Sequence, residues 1–174
     1  MSKQLLFLSI ALALALALPM STLAADPGAP TTSVRQVVST TFRPDGTKLV
    51  LELVRGAARA DGLTASGSAN AGCQLTAYDA FGFVIYSYTI WQYFSYSGIY
   101  ITYFPPESTS SVAYWGWVLT SDSHSHWWVS SPYTAAARGN YTFTQYVAGQ
   151  PYQSRSGWVQ VNISGNGSWS CSAS

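Results

Sequence analysis

The chain has two cysteines, Cys73 and Cys171, and they bracket nearly all of its aromatic, strand-patterned part. Two thiols permit one intramolecular bridge. Closing a loop of nearly 100 residues stabilises a fold by up to about 4–5 kcal/mol if the gain is chain entropy. The rival reading is two unpaired thiols inside a core. A C-x-x-C pair is absent, which sets aside dithiol redox and zinc-ribbon chemistry.

Residues 1–25 read as a signal peptide. Lys3 supplies the positive start, Leu5 to Leu18 is an apolar run broken by Ser9, and Ser21-Thr22-Leu23-Ala24-Ala25 offers a small-residue exit. The run is shorter than the ~20 apolar residues of a membrane span. The expectation is a secreted, extracellular protein with no membrane span in the mature chain. Thiols pair in that compartment, so a Cys73–Cys171 disulfide is expected.

Composition narrows the class further. Aromatic residues make up 15% of the chain and charged residues 9%. This is the opposite of a disordered composition, which is rich in charge and poor in aromatics. Eight basic residues stand against seven acidic ones, and loss of Lys3 with the leader brings the formal charge to zero. Without a basic stripe, nucleic acid is excluded as a partner. From Gly62 to Ser174 the charged residues are Asp79, Glu107, Asp122, Arg138 and Arg155. The remaining polar surface there must come from Ser, Thr, Tyr, Asn, Gln and Gly.

Period-two patterning dominates. Val34 to Thr41 and Thr47 to Val54 are β-branched runs separated by Phe42-Arg43-Pro44-Asp45-Gly46, a turn in which Pro presets φ and Gly takes the left-handed site. The pattern predicts a hairpin, with a helix over 48–60 as the competitor. Residues 26–72 read as a tether, this hairpin and a Gly/Ala-rich linker, and residues 73–174 as the main domain. In that domain strands are expected at 73–78, 83–96, 99–104, 112–120, 126–130, 141–147 and 158–163, then around Trp169 and Cys171. The strand 83–96 is apolar or aromatic on both faces, as in the middle of a sandwich. Short strands at this spacing predict an all-β fold, an antiparallel β-sandwich of immunoglobulin-like architecture or a partly open barrel, with an N-terminal hairpin arm.

At residues 73–102 the string Cys73, then Tyr86-Ser87-Tyr88-Thr89, then Tyr93-Phe94-Ser95-Tyr96-Ser97-Gly98 resembles a pattern of small uncharacterised secreted bacterial proteins of the actinobacterial type. There, a Cys-containing strand precedes an aromatic strand and an aromatic-Cys-Tyr-x-Gly turn. Ser95 stands where that pattern has its second cysteine, which leaves Cys171 as the partner for Cys73. The resemblance covers about thirty residues; it implies export and a β-rich fold and carries no activity.

Chemistry-bearing residues are few. Asp122, His124 and His126 form an alternating trio whose imidazoles would share one side of an extended chain, as metal pairs do. The plain alternative is a polar turn with two exposed imidazoles and no metal. Serine is abundant, but no G-x-S-x-G elbow occurs, and no catalytic residue or cofactor-binding residue is assigned. Sequons at Asn140, Asn162 and Asn166 matter only in a host that glycosylates its exports. The aromatics outnumber what one core can hold. Tyr96, Tyr100, Trp127, Trp128 and Tyr133 are therefore candidates for stacking on a ligand. The expected function is a non-catalytic binding or surface-interaction module for carbohydrate or another extracellular protein. A metal-assisted extracellular enzyme using His124 and His126, or an exported toxin or antagonistic factor, are the alternatives.

Overall fold

The computed structural model describes residues 34–55 and 66–174; the leader and tether, 1–33, and residues 56–65 of the expected linker lie outside the described residues. Among the described residues ten strands occur: β1 (Val34–Phe42), β2 (Lys48–Arg55), β3 (Ser66–Tyr78), β4 (Val84–Ser97), β5 (Tyr100–Tyr103), β6 (Ser108–Ala113), β7 (Trp117–Ser130), β8 (Thr134–Val147), β9 (Gln150–Ser164) and β10 (Trp169–Ala173). The first sheet runs β1-β2-β3-β4-β5, with β6 also paired to β4, and the second runs β10-β9-β8-β7. All pairings are antiparallel. The two sheets pack face to face as a β-sandwich and do not close into a barrel. Both are meanders, and the chain crosses between them at 114–116, so the likeness to immunoglobulin domains lies in the layering and not in the connections. Among the described residues no helix is long and apolar enough to cross a membrane.

The expected hairpin forms as β1–β2, and the helix alternative over 48–60 gives way to strand. Its turn is secured by Thr47 N–H donating to Asp45 Oδ1 at 3.0 Å, with Gly46 at φ 82°. This hairpin is not a separate arm. It supplies the first two strands of the first sheet, and β3 starts at Ser66, inside the stretch read as linker.

The core follows from alternation. Leu49, Leu51, Leu75, Tyr86, Tyr88, Ile90 and Phe94 point inward from the first sheet. Ala135, Ala137, Tyr141, Phe143, Val159, Val161 and Ile163 meet them from the second. Small residues on one layer admit large ones from the other. A Cβ on Gly139 would collide with the Tyr88 ring, and Tyr86 stacks on Phe143 with ring centres 4.3 Å apart. Cys73, fully buried in β3, is bonded to Cys171 in β10, so a covalent link joins the two layers.

Two expected boundaries move. The strand predicted at 112–120 breaks at a corner, where Trp115 (φ 55°) and Gly116 (φ 78°) turn the chain from β6 into β7. The turn predicted at 121–123 lies inside β7, which runs unbroken through the histidines.

Candidate functional site

Three groups of side chains have the chemistry to act, and each is placed by strand parity. The first lies between the rims of the two sheets. On β7 the inward-facing positions past Thr120 are Asp122, His124, His126 and Trp128, opposite Tyr141, Gly139, Ala137 and Ala135 of β8. Glu107 approaches them from the chain entering β6. Gln92 anchors that approach by donating to Pro105 O at 2.7 Å.

The Glu107 side chain is 3% exposed, and its two oxygens take one imidazole each, His124 Nδ1 at 2.8 Å and His126 Nδ1 at 2.5 Å. Burial alone would push this carboxyl up. Its own backbone N–H and the two histidines outweigh burial and hold it below the ordinary range. With Glu107 ionised, each Nδ1 carries the proton, because a carboxylate only accepts. Phe104 packs edge-on against His126 and Trp128, at 4.9 and 5.4 Å between ring centres.

Asp122 does not join the histidines. It accepts from Tyr88 Oη at 2.6 Å and from Thr109 Oγ1 at 2.8 Å, tying β7 to β4 and β6. Burial first, and then Asp122, raise the Tyr88 hydroxyl well above its usual range. The trio read from the sequence is thus split into two clasps, and Glu107, to which the sequence reading gave no role, is the partner of both histidines. Among the described residues no group of three or more His, Cys, Asp or Glu is arranged to hold a metal ion.

The stacking candidates do not form one platform. Trp127 and Trp128 are neighbours on β7 and project to opposite faces, Trp127 outward and Trp128 toward Phe104. Tyr100 and Tyr133 pair with each other at 5.4 Å between ring centres. Tyr96 is half-buried against Phe94.

A different surface is better formed. The outward face of the first sheet carries an open groove of about 500 Å³. Outward positions of β2, β3, β4 and β6 line it with Glu52, Gln74, Thr76, Thr89 and Ser110. Trp91, Tyr78 and Tyr114 supply its aromatic surface. Trp91 is paired across the ladder with Gly72, and a Cβ on Gly72 would collide with the indole, so glycine is what lets the ring lie over β3. Arg35 and Glu52 bond at 3.5 Å at one side of the groove, and Lys48 stands 4.4 Å from the centre of the Tyr78 ring. Sequence reasoning took the 83–96 strand as buried on both faces and so missed Trp91. The signal was there: Ser87 and Thr89, at the same parity as Trp91, are polar, whereas Tyr86, Tyr88 and Ile90 are the fully buried set.

Comparison of the chain with protein-family models, with curated proteins and with solved structures finds no match in any of the three.

Proposed function

We propose that this chain is a secreted, non-catalytic binding module that takes a carbohydrate chain in the groove of the first sheet. The observation that carries the reading is the groove itself. It combines an indole resting over Gly72 with amide, carboxylate and hydroxyl groups held on the rigid strands beside it. A sugar ring has an apolar C–H face and an equatorial belt of hydroxyls. The first matches a tryptophan face, and the second matches Gln74, Glu52 and the exposed Ser110.

Two further points favour binding over turnover. The lining holds a single carboxylate, Glu52, where glycoside hydrolysis by the usual route needs two acids flanking the bond. The imidazoles, the other residues with catalytic chemistry, are turned onto Glu107 and tie one sheet to the other. Export is supported by the apolar leader and by the cystine, a bond suited to an oxidising compartment.

The test is a glycan array on the purified protein followed by titration calorimetry with the best neutral oligosaccharide. Trp91→Ala should weaken binding at least about tenfold, that is by ~1.4 kcal/mol, with the melting temperature little changed. Absence of any glycan ligand, or an unchanged affinity in the variant, overturns the reading.

A further inference from the structure

The opposite, outward face of the second sheet carries a guanidinium that no acid among the described residues neutralises. Arg138 lies near the middle of β8. Its Nε and Nη2 both donate to Gln160 Oε1, at 2.9 and 2.6 Å. Gln160 Nε2 in turn donates to Asn162 Oδ1 at 2.6 Å, so the acceptor is itself held in place. The guanidinium carbon stands 4.3 Å from the centre of the Trp158 ring and 5.7 Å from that of Trp127. Among the described residues the ion pairs are Arg35–Glu52, Arg155–Asp45 and the two histidines on Glu107, and none involves Arg138.

Donor counting shows what this geometry leaves over. A guanidinium has five N–H groups in a fixed plane. Two are spent side-on on Gln160. The end-on edge, formed by Nη1 and the second N–H of Nη2, makes no hydrogen bond among the described residues. Two parallel N–H groups at that spacing match the two oxygens of a carboxylate. Stacking on Trp158 and the bond to Gln160 have already removed the side-chain freedom that binding would otherwise have to freeze. Beside this edge Trp127 offers an indole that is 37% exposed.

The geometry points to a subsite for an acidic sugar, with the carboxylate of a uronic acid meeting the end-on edge of Arg138 and the pyranose ring lying on Trp127. Charge complementarity selects the ligand class: among the described residues the face presents one fixed cation without an ion-pair partner, set among Ser, Thr, Asn and Gln. The inference extends the carbohydrate reading to a second face and shares no residue with the groove, so the two succeed or fail separately.

Titration calorimetry with a galacturonate hexamer, its methyl ester and a neutral xylose hexamer tests it on the intact protein. The acid should bind at least about tenfold more tightly than its ester, with the advantage shrinking as salt rises. Arg138→Gln should remove that advantage. Arg138→Lys should also lose most of it, because a point charge on a flexible stem does not reproduce the fork. Melting temperatures within a few degrees of the parent would show that both variants fold. Trp127→Ala should weaken the acid and Trp91→Ala should not. The assignment is overturned if the ester binds as well as the acid, if Arg138→Gln binds the acid unchanged, or if Trp91→Ala abolishes acid binding. It is also overturned if a sulfated oligosaccharide alone binds through Arg138, or if the acid does not bind at about millimolar concentration. Acid binding without any neutral ligand would keep this subsite and remove the groove reading.

Discussion

Glu107 makes one of the two clasps that hold the rims of the sheets together. Its carboxylate is nearly closed off from water and is the acceptor for both imidazoles of β7. Folding favours its ionised form, because its carboxyl titrates below the ordinary value of 4.5. A group depressed in this way contributes stability that is present above the ordinary carboxyl value and is lost as pH falls through the folded one. Asp45, held down mainly by the Thr47 backbone N–H, adds to stability in the same sense. Glu107→Gln should therefore lower the urea midpoint at about pH 7 and flatten its decline toward about pH 3, measured by tryptophan fluorescence at each pH. A decline as steep as the parent's would show that the clasp adds nothing to acid stability. Little of this was legible in sequence. His124 and His126 announce a shared side by their spacing, but Glu107 lies in the segment leading into a strand of the other sheet, and no local pattern says which acid they meet. Trp91 was legible in principle, through the serine and threonine at its parity, but the aromatic density of the strand hid that alternation.

At the scale of strands, the expectations that held were those set by local chemistry. Pro44-Asp45-Gly46 turns where its φ preferences require, and the β-branched runs on either side become β1 and β2. The misses came from residues chosen for what packs on them. Thr134–Asn140, rich in alanine and glycine, forms half of β8 although no strand propensity marks it. Its smallness is complementary to Tyr88 on the other layer, as the collision at Gly139 shows. Ser66–Gly72 is strand for a similar reason, with Ala69 and Ala71 buried and Gly72 making room for Trp91. The corner at Trp115-Gly116 was read as strand because a tryptophan at positive φ is rare and invisible to patterning. Gly116 sits there at φ 78°, and a Cβ would come within 2.7 Å of Tyr146 O. Gly116→Ala should cost about 1–3 kcal/mol, through left-handed strain and loss of the Gly116–Tyr146 backbone bond. Equilibrium urea unfolding reads this directly, and a cost below about 0.5 kcal/mol would mean the corner yields freely.

For the whole molecule, the cystine decides how the layers hold. Its partners lie 98 residues apart in sequence and belong to different sheets. Reduction or the Cys73→Ala, Cys171→Ala double change should lower stability by about 3–5 kcal/mol, less any structure the reduced chain retains. Thiol-reactive dye on the native protein should find no free group, and stoichiometric labelling before denaturation would contradict the bond. The bond also sets where a tensile load runs. Cys171 lies in β10 and Cys73 in β3 of the opposite layer. A pull applied between the N-terminal strand and the C-terminus passes through the sulfurs and skips everything from β4 to β9. That stretch, about 330 Å of contour if paid out fully, stays locked at any force the covalent link survives. A molecule pulled across this bond would lengthen only by what lies outside the loop; the Arg138 face, wholly inside it, would keep its shape under strain, whereas the groove would lose Arg35 and Glu52 as β1 and β2 peel away.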